Sequence, residues 1–257
     1  MIHLPRATDR KARMQAEFDR VGINVDDWAG VDARLPHNAD RLAALPDHGP
    51  WGHLHAHAKG CLLSHLDAMQ RFVDSSASHA LILEDDVFVA DDLSVWMAVE
   101  QWWPADADLV KIERWRDDRL RVVMDAACAT HSGRAIQRLR SRHSGAGGYF
   151  ISRAGAHRVL TDPQRNVPVD HLLFNGLVSP LATQLVTYQI NPALVVQGNE
   201  APASSGHRAA SAARRKPVSQ KIRRGLAELR ILRVLPRLLT GQSRLHRVDW
   251  QNITPIA

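Results

Sequence analysis

HALILEDDVFVADD, residues 79–92, carries the pattern that decides the fold. A short apolar run, Ala80 to Leu83, meets three consecutive acids, Glu84, Asp85 and Asp86, and a second apolar run follows at Val87, Phe88 and Val89. Short apolar runs bounded by polar residues read as buried strands, and strands of a parallel sheet are buried on both faces. Unpaired carboxylates are costly inside such a core. The triplet is therefore expected where the strand emerges, at the carboxyl edge of an α/β sheet with mostly parallel strands, where such folds place ligands. Residues two apart share a strand face, so Glu84 and Asp86 are predicted to point one way and Asp85 the other. Two converging carboxylates offer hard oxygen ligands to Mg²⁺ or Mn²⁺ and leave positions open for phosphate oxygens. The same residues also suit an acidic turn that closes a strand and caps a helix near Asp91 and Asp92.

Upstream, MIHL (1–4) reads as a first strand, and Thr8 or Asp9 is placed to cap a helix over Arg10–Val21. Met14, Phe18 and Val21 recur at helical spacing, and Gly22 sits where a C-cap belongs. The cations of this helix read as solvated charges, or else Arg10 lies near the sheet edge and meets a diphosphate, which suits a guanidinium. A second strand is expected over 27–31 and a surface loop over 34–52. His53, His55 and His57 alternate, a pattern that either faces imidazoles one way for a transition metal or marks a polar edge. GCLLSH opens a helix over 60–73, with Ser64 and His65 in its first turns; adjacent side chains diverge there, so the two are not a nucleophile and base by themselves.

Downstream, 93–103 is predicted to be an amphipathic helix stopped by Pro104. DLVKIE (108–113) reads as a buried strand with Lys111 and Glu113 near its exit, and 119–124 as another strand. Residues 131–147 read as a flexible loop, followed by a strand at 149–152 and a helix to Leu160. Asp170 stands at a helix start behind Pro168, either a cap or a working carboxylate. A late strand is expected at 185–190.

At 257 residues the chain can bury a full core, and its 45% hydrophobic and 23% charged residues are those of a globular protein. No apolar run is long enough to span a bilayer, and the N-terminus has no apolar leader segment. Cys61 and Cys128 are the only cysteines, which excludes a disulfide framework and suits the cytoplasm. The charge is uneven: Arg208 to Arg247 holds twelve Lys/Arg against one acid, Glu228, so the net +6 covers a mildly acidic remainder. The expected organisation is a domain over 1–200, a low-complexity linker over 201–218 and a basic amphipathic helical extension over 219–257. That composition suits an anionic membrane surface reached through 208–247. A nucleic-acid tail is disfavoured because no aromatics are interleaved for base stacking, and a helix packed on the domain is the plain alternative.

IHLPRATDR, GVDA, GCLLSH, ALILEDDV, DLVKI, GGYFISRAGA, PVD and NPALVVQ follow one another from residue 2 to about 200, in an order that resembles glycosyltransferase family 25. That family includes bacterial lipopolysaccharide and lipooligosaccharide galactosyltransferases and is related to procollagen galactosyltransferases. The resemblance implies a GT-A-like fold and an inverting hexosyl transfer, typically of galactose, from a UDP-sugar to a saccharide or lipid-linked saccharide acceptor at the cytoplasmic membrane face. It further implies that Asp86, with Glu84, holds Mn²⁺ or Mg²⁺. Glu84 or Asp85 then faces the donor ribose, Arg10 contacts the donor, and Ser64 and His65 line its pocket. Inversion needs a base on the acceptor side, for which Asp170 is the first candidate and Glu113 the second. Two other classes stay open: a metal-dependent phosphohydrolase, which needs a second cluster such as the three histidines, and an inactive membrane- or nucleic-acid-binding protein that works through its tail.

Overall fold

The computed structural model describes residues 1–115, 120–198 and 229–252. Strand β1 (Ile2–His3) leads into helix α1 (Thr8–Val21), which buries Met14, Phe18 and Val21 at the predicted spacing. Thr8 is the first helical residue rather than its cap, and Gly22 ends the helix at φ 70° with its amide bonded to the Asp19 carbonyl. Strand β2 is only Trp28–Ala29 and runs parallel to β1. The expected loop that follows carries helix α2 (Ala39–Ala43) and a small hairpin of β3 (His48–Gly49) and β4 (Gly52–His53).

Helix α3 (Ala56–Asp74) begins ahead of Gly60 and leads into β5 (His79–Leu83), and the acidic triplet lies between β5 and β6 (Val87–Val89). In place of the predicted helix over 93–103 there are two 3-10 segments, Asp91–Met97 and Val99–Gln101. The Trp102 indole donates to the Trp96 carbonyl at 3.0 Å, the acceptor that an α-helix would give to the Glu100 amide.

Strands β7 (Leu109–Lys111) and β8 (Glu113–Arg114) follow, then β9 (Val122–His131) and β10 (Arg134–Leu139). Much of the expected 131–147 loop is thus a strand, joined to β9 through Ser132 and Gly133 at φ 46° and 76°. Two central residues with positive φ make the tight turn that suits a twisted hairpin. The rest of the fold is β11 (Gly148–Ser152), α4 (Arg153–Thr161), α5 (Val169–Phe174), α6 (Pro180–Gln184), β12 (Thr187–Asn191), β13 (Val195–Gln197), α7 (Leu235–Leu239) and β14 (Ser243–His246).

The main sheet has the order β14-β9-β10-β12-β7-β11-β5. This corrects the expectation of a mostly parallel sheet: among the described residues only β12 and β7 are parallel within it. Parallel neighbours need a long crossover, and the β9–β10 turn is far too short for one. Both faces are nonetheless covered. Leu83, Val110 and Phe150 enter one core with α1 and the tryptophans, while Ile82, Leu109, Tyr149 and Ile151 enter the other with α3 to α6. A second sheet, β6-β13-β8, and a parallel bridge from Ile2 to Glu84 enclose the end of β5.

The described part of the C-terminal extension is not simply helical. It holds a 3-10 segment (Leu229–Val234), the short α7, and β14, which pairs with β9 and so joins the main sheet. Ser243 and Arg237 both donate to Asp125 Oδ1, at 2.8 and 3.0 Å, and secure that edge. The linker over 201–218 and the extension up to residue 228 lie outside the described residues. No helix among the described residues is long and apolar enough to cross a membrane.

Candidate active site

The chain leaves β5 at Glu84, whose amide donates to the Gly147 carbonyl at 3.0 Å. Glu84 and Asp85 take opposite sides, as predicted. Glu84 faces α3, where His65 Nε2 lies 3.1 Å and Cys61 Sγ 3.5 Å from Oε1, while Gln197 Nε2 donates to Oε2 at 3.1 Å. Because a carboxylate only accepts, His65 Nε2 is the donor here, and its Nδ1 meets the Tyr149 hydroxyl at 2.8 Å. Burial works against the charge on Glu84, but the bonds from His65 and Cys61 and the field of Lys111 hold its carboxyl below the usual range. Burial first, and then Glu84, Asp170 and Asp86, push the Cys61 thiol well above its ordinary value.

Asp85 points the other way and is buried, with Arg10 Nη1 3.2 Å from its Oδ1. Burial raises its pKa against the pull of Arg10. Arg13 donates to the Asp85 and Val87 carbonyls at 3.0 and 2.7 Å and fixes the backbone on both sides of Asp86. Asp86 and Glu84 are half-buried, so they border the open side of the strand end.

A second network stands beside the first. Glu113 Oε2 accepts from Lys111 Nζ at 2.6 Å and from the Gly147 amide at 3.0 Å. Lys111 also donates to the Gly145 carbonyl at 2.6 Å, and the Gly145 amide donates to Asp170 Oδ2 at 3.2 Å. Burial, opposed by Lys111 and reinforced by Glu84, lifts Glu113 to about 7. Glu113 and Lys111 have no exposed side-chain surface, whereas Asp170, in the first turn of α5, is half-buried. Gly145 is required at this junction: its φ is 80°, and a Cβ there would lie 2.4 Å from Glu113 Oε1.

The structure therefore links Glu84, His65, Glu113 and Asp170 through the 145–147 turn, with Asp86 two residues beyond Glu84 and Asp85 paired with Arg10. Ser64 is placed apart: it is buried, donates to the Gly60 carbonyl at 2.7 Å and accepts from the Val31 amide at 2.7 Å, which anchors α3 to the segment after β2. The His53 ring meets His48 edge-on and His55 at a tilt at the hairpin, and among the described residues no metal-capable group includes His53, His55 or His57. The second cluster that a phosphohydrolase would need is not formed by them.

Cys61, Lys111, Tyr149 and Gln197 were not foreseen in the site. Cys61 and His65 stand four apart on one helix, a spacing that shares a face and was readable. Tyr149 and Gln197 carry no sequence signal of their own. One potential ligand atom each from Cys61, His65 and Glu84 lies within 4.8 Å of the others. With its thiol pKa raised, Cys61 acts as a donor to Glu84 rather than as a thiolate ligand. Glu84 and Asp86 carry hard oxygens of the kind that Mn²⁺ and Mg²⁺ take, although among the described residues the group of three ligand atoms within 4.8 Å of one another is that of Cys61, His65 and Glu84.

The sequence model of glycosyltransferase family 25 (LPS biosynthesis protein) matches residues 1–173. The chain is 25% identical over 205 residues to the lipooligosaccharide biosynthesis protein lex-1 of Haemophilus influenzae, covering 75% of this chain and 66% of that protein. It is 29% identical over 209 residues to the lacto-N-neotetraose biosynthesis glycosyltransferase LgtB of Neisseria gonorrhoeae, covering 77% of this chain and 73% of that one. A glycosyltransferase 25 family member of Drosophila pseudoobscura pseudoobscura is 28% identical over 188 residues, covering 67% of this chain and 29% of its own length. The family match takes in more than half of the chain and every residue of both networks from Arg10 to Asp170, leaving only Gln197 beyond it. The chain therefore belongs to glycosyltransferase family 25.

Proposed function

We propose that this glycosyltransferase moves a hexose, galactose in the first instance, from a UDP-sugar to a saccharide acceptor in lipopolysaccharide or lipooligosaccharide biosynthesis, with inversion at the transferred carbon. The observation that carries this is the hydrogen-bonded link at the end of β5 from Glu84 through the 145–147 turn to Glu113 and Asp170. The biosynthetic assignment is supported by the names of the relatives, which place lex-1 in lipooligosaccharide and LgtB in lacto-N-neotetraose biosynthesis.

Asp86, with Glu84 beside it, would hold Mn²⁺ or Mg²⁺; when bound, the cation supplies Lewis-acid stabilisation of the charge on the departing diphosphate. Asp170 is the base. The acceptor oxygen forms its bond to the anomeric carbon from the face opposite the diphosphate, the bond from that carbon to the phosphate oxygen breaks, and the hydroxyl proton passes to Asp170. Glu113, with no exposed surface, positions rather than reacts: with Lys111 it holds the 145–147 turn, whose Gly145 amide orients Asp170. Arg10 acts through Asp85, and His65, braced by Tyr149, keeps Glu84 ionised and in place.

In this reading the enzyme works in the cytoplasm, held at the inner membrane face by the arginines and exposed leucines of the C-terminal segment, among them Leu232, Leu235 and Leu239. The test is UDP release from a panel of UDP-sugars with Mn²⁺, run beside Asp86→Ala. Metal-dependent release from one sugar, lost in the variant, is the expected result. No metal-dependent binding of any nucleotide sugar by calorimetry would sink the reading.

A further inference from the structure

A cavity of about 560 Å³ opens between the entry to β9, the exit of β10, α5 and α6, and the segment that forms α7. Among the described residues that line it, six are arginines, Arg121, Arg138, Arg140, Arg142, Arg233 and Arg237, and none is acidic. Several guanidiniums are fixed in place from behind. Arg140 and Arg237 share Asp125, at 2.6 and 3.0 Å, and Arg138 meets Asp106 at 3.1 Å. Despite partial burial, Arg140, Ser243 and Arg237 hold Asp125 down to about 2, so this brace stays charged at any working pH. Between the arginines the part-exposed leucines Leu120, Leu139 and Leu177 give the wall its apolar surface.

Planar guanidiniums held in a fixed orientation match phosphate oxygens in pairs and lose little entropy on binding. Carbon-rich walls between them take the apolar faces of sugar rings, and the volume is that of a small-ligand pocket. The cavity shares its elements with the catalytic carboxylates. Arg142 belongs to the segment that runs on to Gly145, whose amide holds Asp170, and Phe174 is the last residue of the helix whose first turn carries Asp170. The Phe174 ring lies 4.6 Å from Lys111 Nζ.

We propose that this cavity is an acceptor subsite for a phosphorylated saccharide, with the arginines taking its phosphates and Leu120, Leu139 and Leu177 its sugar faces. The proposal rests on the transferase reading above, because it makes the bound saccharide the partner whose hydroxyl reaches Asp170. It adds a required charge to that partner.

The test is calorimetric titration of the full chain with deacylated lipooligosaccharide core, with the same oligosaccharide dephosphorylated by hydrofluoric acid, and with inorganic pyrophosphate. The phosphorylated core is expected to bind at least tenfold more tightly than the dephosphorylated one and more tightly than pyrophosphate. The double variant Arg121→Glu/Arg233→Glu is expected to erase that preference. Equal binding of the two oligosaccharides by the unaltered chain would overturn the proposal, as would a preference that survives the double charge reversal. Tighter binding of pyrophosphate would also overturn it, marking a site for free anions. The comparison on the unaltered chain decides the matter even if the variant fails to fold. UDP binding, titrated separately, tells failure of the transferase reading from failure of the subsite.

Discussion

Lys111 Nζ lies 2.6 Å from Glu113 Oε2, and neither side chain has any exposed surface. Removing one partner of such a pair leaves an uncompensated buried charge, at a cost of about 3–5 kcal/mol. Here the remaining group can escape by protonation, because burial already lifts Glu113 from 4.5 to about 7 with Lys111 in place. A carboxyl whose folded pKa exceeds its unfolded value favours the fold at low pH, and that contribution is lost as pH rises toward the folded pKa. Lys111→Met removes the attraction that opposes the rise. Its stability deficit relative to the unaltered chain should therefore be smallest near pH 5 and grow toward pH 8. Thermal melts across that range check it, and a deficit that ignores pH would show that Glu113 does not take up the proton.

Asp170→Asn separates the base from the donor site. The amide oxygen can still accept from Gly145, so the turn keeps its shape, but it cannot take a proton from the acceptor hydroxyl. General-base loss predicts a fall in kcat of about 10²–10⁴-fold, with binding of UDP and Mn²⁺ unchanged. Steady-state transfer and calorimetry on the same preparation read the two effects. A variant that loses UDP binding together with turnover would move Asp170 to the donor side.

Two glycines with nearly equal φ offer a controlled comparison. Gly145, at φ 80°, has Glu113 Oε1 2.4 Å and the Trp115 ring 2.6 Å from where a Cβ would stand, whereas Gly133, at φ 76°, has nothing within 4 Å. Gly133→Ala should cost only the left-handed strain, roughly 1–2 kcal/mol, and leave turnover alone. Gly145→Ala adds a clash with fully buried atoms and shifts the amide that orients Asp170. Its cost in chemical denaturation should exceed that of Gly133→Ala, and kcat should fall with it.

Local periodicity was legible and long-range pairing was not. Met14, Phe18 and Val21 announce α1 because a helix repeats its buried face within a few residues, and the two-residue strand period separates Glu84 from Asp85. An apolar run such as Ala80 to Leu83 looks the same in a parallel or an antiparallel sheet, so strand direction was misread. The basic, Gly/Ser-rich composition of 131–147 reads as a loop, whereas Ser132 and Gly133 turn β9 back into β10. Arg134 is the instance: it reads as surface and is fully buried, because its partner Asp92 stands forty-two positions away. The site divides in the same manner. The acidic triplet and Asp170 could be nominated from neighbouring residues. The links from Glu113 through Gly145 to Asp170, and from Tyr149 through His65 to Glu84, exist only once the sheet is assembled.

That buried arginine supports the last prediction. Arg134 Nε and Nη2 donate to Asp92 at 2.7 and 2.5 Å, Nη1 donates to the Pro192 and Ala193 carbonyls at 3.0 Å, and Nη2 also reaches the Gln251 carbonyl at 2.9 Å. One guanidinium thus ties β10, the 3-10 segment at Asp92, the turn before β13 and the C-terminal stretch that follows β14. Arg134→Met leaves the buried Asp92 carboxylate without its countercharge, with the Trp96 indole still donating at 3.3 Å, and should cost about 3–5 kcal/mol in urea unfolding. Asp92→Leu strands the cation and should cost a similar amount. In the double variant neither charge remains, so the combined loss should fall short of the sum of the single losses by about 0.5–3 kcal/mol. Additive losses would mean that the pair is not coupled and that Arg134 acts mainly through the three carbonyls it binds.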